Sequence, residues 1–356
     1  MRSRALHPGA WWAWALALAV AASRTTNPLL LGLIIAIAGF VVANRRSDAP
    51  WALAFRLYVY VGALIVASRV LFRILIGGED GGHVLFTLPR IPLIAGLSLF
   101  GPASAEELLG GFYDGLRLAT MVVCVGAANA LANPKRLLKA VPGALYEVGT
   151  AVTVALTVAP QLVESVQRVR RARRLRAGRT RGLRAVKGIV VPVLEDAMDR
   201  SLRLAAAMDS RGYGRRADLS FRLRVLIASC VLFGLVGVCV GVYGVLDGTS
   251  PSWLGVPLLA GGLVVAVAGF VLGGRRVRRT AYRPDPWRWP ETLVVAAGAG
   301  ACALLFVTAR VDPGRLFPSL SPLRWPEVSP VHALSLLVAV LPAFVAPPPP
   351  SLEVVR

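Results

Sequence analysis

Long apolar runs govern what this chain can fold into: Trp11 to Val42, Leu57 to Ile76, Phe112 to Leu131, Val225 to Leu246, Leu254 to Leu272, Leu293 to Val307 and Val331 to Val345 carry few charges. The hydrocarbon core of a bilayer is about 30 Å thick and is crossed by a helix of about 20 apolar residues, fewer where the bilayer thins. Backbone N–H and C=O groups in lipid must be satisfied within the span, which leaves helices or closed barrels. The runs are continuous rather than alternating, so helices are predicted and the chain reads as an all-α polytopic membrane protein. A soluble domain would not combine 56% hydrophobic residues and a mean hydropathy of +0.63 with 40 Lys and Arg against 19 Asp and Glu. The first run comes after Arg2 and Arg4, as in a secretory signal. No small-residue cleavage site precedes the next run, so it is read as a retained span.

Basic residues sort by position, and Lys and Arg are retained on the cytoplasmic side of a bacterial inner membrane. Half of them fall between Lys135 and Arg224, which marks residues 133–222 as a cytoplasmic domain. A second basic loop, Arg275 to Arg288, is two runs further on and therefore on the same side. Working backwards, Arg45, Arg46 and Arg56 are cytoplasmic if Leu57 to Ile76 and Phe112 to Leu131 go out and back, with Gly77 to Gly82 and Pro89 to Pro102 on the far side. Trp11 to Ala22 and Leu29 to Val42 then form a hairpin. The predicted organisation is an N-terminal transmembrane region (1–132), the cytoplasmic coupling domain (133–222), C-terminal transmembrane helices (223–310), and a final span with an extended Pro347 to Pro350 tail (311–356). Val148 to Val163 is apolar enough to cross, but basic residues flank both ends. It is read as a helix buried in protein or lying along the interface, with Pro160 breaking it from the arginine-rich stretch beyond.

Two stretches of the basic domain are variations on one device, each opening with a proline suited to a first helical turn and closing with arginine before glycine. From Pro160, apolar Leu162, Val166, Val169, Ala172 and Leu175 form a single helical stripe, with Arg168, Arg170, Arg171, Arg173, Arg174 and Arg176 around it. From Pro192, the stripe is Leu194, Met198, Leu202, Ala205 and Met208. Glu195, Asp196 and Asp199 sit near the positive end of the helix dipole, and Asp196 with Arg200 and Asp199 with Arg203 are i,i+4 pairs. Gly212 is placed to take the left-handed cap conformation, leaving Arg211 at the negative end.

The run Ala207-Met208-Asp209-Ser210-Arg211-Gly212-Tyr213-Gly214, preceded by Pro192-Val193-Leu194 and a long amphipathic helix, closely resembles the transmembrane T component of energy-coupling-factor (ECF) transporters, the EcfT/CbiQ type. Asn133-Pro134, the Pro160 stretch, Arg173-Arg174-Leu175-Arg176-Ala177-Gly178, and Leu6-His7-Pro8 before a two-span hairpin fall in that family's order. The resemblance implies two coupling helices whose arginine ends dock into grooves on a pair of ABC-type ATPase subunits, while the membrane part embraces a substrate-binding S component. It implies Ser210, Arg211 and Gly212 as the second motif and Arg176, Ala177 and Gly178 as the first. Arg173, or Arg181 before Gly182, is an alternative counterpart for the first. The implied function is a non-catalytic scaffold and coupling subunit of an importer for a vitamin or a transition-metal ion. The spans after Leu246 are only generically membrane-like.

Arginine suits such a joint because its fork holds a carboxylate through two parallel hydrogen bonds and is never deprotonated. Any single arginine between Arg168 and Lys187 is equally satisfied as a positive-inside residue touching lipid headgroups. Asp114 and Arg117 are one turn apart at the outer boundary of a span, Asn129 and Asn133 read as a helix contact and a cap, and Arg69 and Arg73 as anchors. Cys124, Cys230, Cys239 and Cys302 lie singly in apolar runs, and His7, His83 and His332 are far apart, so no metal site and no cofactor are predicted. No G-x-x-x-x-G-K-[ST] sequence supplies a P-loop, and no nucleophile elbow or zinc motif appears, so energy must come from partners. The competing class is a stand-alone channel or secondary transporter with a basic regulatory domain, against which no polar residues recur at midplane depth in paired spans. A membrane-tethered nucleic-acid binder fits least, since the basic domain is striped with apolar residues and lacks exposed aromatics.

Overall fold

The structure is a computed structural model that describes residues 4–47, 55–76, 83–87, 89, 91–92, 98–133, 136–137, 146–175, 183–212, 220–246, 251, 253–276 and 285–348. It is helical nearly throughout, as the apolar runs require. The chain divides into two compact units, Met1–Ala140 with Pro284–Arg356, and Val141–Arg283.

The first unit is built around α1 (Pro8–Ser23), which touches α2 (Pro28–Arg45), α4 (Ala105–Leu131) and α9 (Trp289–Val311), while α3 (Phe55–Ile76) packs on α4. Both helices of the opening hairpin start from a side-chain cap followed by proline. His7 Nδ1 accepts from Gly9 N–H at 3.1 Å and Asn27 Oδ1 accepts from Leu29 N–H at 3.0 Å, with Pro8 and Pro28 at positions whose missing N–H would be unsatisfied anyway. Trp14, Leu18, Leu30, Ile34, Leu305 and Leu336 are fully buried and form the centre of the core. Gly298 on α9 lets that helix close on α1, since a Cβ there would stand 2.8 Å from the Trp14 Cα.

Between α3 and α4, where no strands were predicted, β1 (Val84–Thr87) pairs antiparallel with β4 (Pro102–Ser104), and β2 (Ile91–Pro92) with β3 (Ser98–Leu99). The last apolar run is not one helix. α10 (Pro330–Leu337) passes into a 3-10 turn (Val338–Val340) and then α11 (Pro342–Val345). Pro342 has no N–H to give the Val338 carbonyl, and Leu341 N–H takes it instead at 3.2 Å, which tightens the turn. The turn is fixed from outside by Trp14, whose indole N–H donates to the Ala339 carbonyl at 3.1 Å.

The second unit holds α5 (Tyr146–Leu175), α6 (Leu183–Ser210), α7 (Phe221–Leu246) and α8 (Val256–Arg276). α7 and α8 form a hairpin in near backbone contact. A Cβ on Gly234 would lie 2.4 Å from the Ala266 nitrogen, and one on Gly241 would lie 2.5 Å from the Leu259 Cα. Small residues at helix crossings permit this approach, which replaces hydrophobic drive with close van der Waals contact in lipid.

Among the described residues, seven helices are long and apolar enough to cross a membrane: α2 to α5 and α7 to α9. α5 is among them on length and composition, although its flanking charges argue for an interfacial place. Its apolar half is exposed at Val148, Val152, Leu156 and Val163 among the described residues.

Candidate coupling helices and their arginine ends

Pro160 and Pro192 were predicted to open helices, and both instead lie inside them. At Pro8 and Pro28 a polar cap precedes the proline and starts the helix, whereas Ala159 and Val191 offer no acceptor, so α5 and α6 run through. An interior proline leaves the carbonyl four residues back without its intrahelical donor. For Pro192 that residue is Gly188, and the Arg173 guanidinium of α5 lies directly over it, where a Cβ would meet Cζ at 2.9 Å. Arg173 is therefore packed against α6. Arg176, Ala177, Gly178 and Arg181 lie outside the described residues.

α5 and α6 meet through a polar contact that the stripe pattern does not reveal. Ser165, 2% exposed, donates from Oγ to Asp196 Oδ2 at 2.7 Å, and Arg200 holds the same carboxylate with Nε and Nη2 at 3.1 and 2.9 Å. The Ser165 hydroxyl, followed by the guanidinium of Arg200 and the nearby charge of Arg168, keeps the Asp196 carboxyl below its ordinary range. The predicted Asp196–Arg200 pair thus forms, with a cross-helix partner added. Asp199 and Arg203 are exposed, and no ion pair joins them among the described residues.

On the α6 stripe, Leu194, Met198 and Leu202 are 54%, 60% and 69% exposed. Val193, Asp196, Ala197 and Arg200 are the half-buried positions on that stretch. On α5 the stripe is half-buried at Leu162, Val166 and Val169 and opens to the surface at Leu175. The α5–α6 pair therefore presents an apolar row beside arginines that is exposed among the described residues.

At the end of α6 the backbone turns as predicted. Gly212 has φ +73°, its N–H donates to the Asp209 carbonyl at 2.9 Å, and Arg211 N–H donates to the Met208 carbonyl at 3.1 Å. Ser210 Oγ donates back to the Ala207 carbonyl at 3.0 Å. Ser210 and Arg211 are both exposed, and the Arg211 guanidinium makes no ion pair among the described residues. A fixed backbone thus carries a free cationic fork at the negative pole of a 28-residue helix.

The other polar residues of the spans take structural roles. Arg117 donates to the Ser23 carbonyl at the end of α1, and Asp114 sits 3.8 Å from Arg73 rather than pairing with Arg117. Asn129 donates to the Tyr58 hydroxyl at 2.8 Å, a helix–helix contact between α4 and α3. Among the described residues no three His, Cys, Asp or Glu side chains are grouped to hold a metal ion.

Residues 3–223 match the family described as cobalt transport protein, CbiQ. The chain is also 25% identical over 206 residues to the energy-coupling factor transporter transmembrane protein EcfT of Bacillus selenitireducens, an alignment that covers 53% of this chain and 71% of that protein.

Proposed function

Since this chain belongs to the CbiQ family of cobalt transport proteins, we propose that it is the transmembrane scaffold and coupling subunit of an ECF-type ABC importer. Its sequence holds no G-x-x-x-x-G-K-[ST] run, so its energy comes from partners. Two ABC ATPase subunits drive it, and a membrane-embedded S component binds the cargo, a transition-metal ion or a vitamin. The basic segment from 133 to 222 faces the cytoplasm of a bacterial cell, where its arginines are retained.

The observation that carries this reading is the end of α6: a left-handed Gly212 turn holding Ser210 and Arg211 exposed, continuous with the bare Leu194, Met198 and Leu202 row. An apolar row seats in a groove while a terminal guanidinium grips a carboxylate at its end, so a push on the ATPase side is transferred along the helix without slipping. Arg176, Ala177 and Gly178, with Arg173 behind them at the end of α5, are proposed as the second contact, one for each ATPase.

The test is to purify the tagged full chain from detergent-solubilised membranes. ABC ATPase subunits should copurify, and Arg211→Ala should lose most of them while the chain still inserts. Retention of the ATPases by that variant would end the proposed role of Arg211. Movement of cobalt(II) by the purified chain alone in liposomes would replace the whole reading with that of a self-sufficient carrier.

A further inference from the structure

Arg136 and Asp285 are 149 positions apart and meet in a two-pronged ion pair, with Nε donating to Oδ2 at 2.8 Å and Nη2 lying 2.7 Å from Oδ1. Their side chains are 22% and 31% exposed, so the pair is partly shielded from water. Each stands at an edge of the first unit. Arg136 comes just after α4, with its N–H and that of Leu137 bonded to the Asn133 carbonyl, and Asp285 precedes α9. All of the second unit is strung between these two residues. The segment by which the chain leaves the first unit is therefore pinned to the segment by which it returns.

The returning segment is anchored again within a few residues. Arg4 donates to the Pro286 carbonyl at 2.7 Å and to the fully buried Glu291 at 2.6 Å. Trp287 lies with its ring 5.3 Å from that of His7, and Arg288 N–H donates to Glu291 Oε2 at 3.1 Å. Two separate tethers would let an inserted unit swivel without moving what it hangs from. Two tethers locked together and stitched to α1 and α9 form one attachment, through which displacement is passed on.

We propose that the Arg136–Asp285 pair is a neck clamp that makes movement of the coupling helices reach the membrane helices. Both are positioning residues: they touch neither ATPase nor cargo, and act by keeping the neck closed. The proposal rests on the reading of this chain as a coupling subunit.

Two measurements test it, on the full chain with its four cysteines replaced. In the chain alone in nanodiscs, spin labels at Leu137 and Arg288 report whether the neck is closed. A single narrow distance is expected in the parent, and the closed population should fall about fivefold in Arg136→Asp or Asp285→Arg, returning in the exchanged pair R136D/D285R. With ATPases bound, labels at Tyr60 on α3 and Val307 on α9, both exposed, report movement within the first unit on ATP addition. The parent should move and the exchanged pair should move, while each single variant stays still with its ATPases retained. A neck that remains closed in the single variants, or an ATP-driven movement that survives in them, overturns the clamp alone. A parent that holds no ATPases overturns the coupling reading and the clamp with it.

Discussion

In the proposed ATPase contact Arg211 supplies the charge and Gly212 the backbone turn, and two substitutions separate them. Arg211→Lys keeps the charge but loses the fork, so ATPase retention in a detergent pull-down should fall between that of the parent and that of Arg211→Ala, with the alanine variant down about tenfold. Gly212→Ala forces a side chain into the left-handed region at a cost of about 1 kcal/mol, so the last turn of α6 should fray, seen as faster amide exchange at Arg211. Asp196 gives a pH signature. Its carboxyl is held below its ordinary range, so its contribution to the α5–α6 contact is complete above about pH 4 and is lost as the pH falls through the lowered value. Amide protection along α6, corrected for intrinsic rates, should drop in that window, and Asp196→Asn should remove the step. Gly212 and Arg211 were legible from residue type and order alone. Ser165 was not, because one serine among arginines carries no sign of a carboxylate on another helix.

Among the elements, the prolines show how local context decides between a helix start and an interior position. Pro8 and Pro28 come after capping side chains and begin helices, while Pro160 and Pro192 come after alanine and valine and sit within them. Pro192→Ala should therefore strengthen α6 rather than erase its start, raising helix content, with the new amide at position 192 protected by donating to the Gly188 carbonyl. In the α7–α8 hairpin, Gly241→Leu places a branched side chain where the Leu259 Cα already stands. Overpacking of this kind costs about 1–3 kcal/mol, and the variant should lose thermal stability in detergent while Gly261→Leu, which meets nothing within 4 Å, should not. Hydropathy located both helices of this hairpin. That their glycines interlock, and that the α6 stripe faces outward, depends on which face each helix turns to its neighbour, which a one-dimensional period leaves open.

For the molecule as a whole, the family match ends at residue 223, yet α9, α10 and α11 complete the core around α1. Ala301, Leu305, Leu336 and Ala339 are buried with Trp14 and Leu18, so a chain stopped at 223 should fail to accumulate in membranes, and residues 284–356 supplied as a separate chain should restore it, read by immunoblot of the membrane fraction. Burying a large aliphatic side chain is worth roughly 1.5–3 kcal/mol, and several are lost at once. Sequence by itself determined that the chain is helical and membrane-embedded, where its charge collects, and which helix end carries a capped arginine, because those properties arise from short-range composition and spacing. Only the tertiary structure decided that the last helices close over the first, that Arg136 and Asp285 pair across 149 positions, and that Pro160 and Pro192 lie inside their helices rather than begin them. Each of these rests on partners brought together across the fold, and the energy of such contacts is written in no single segment.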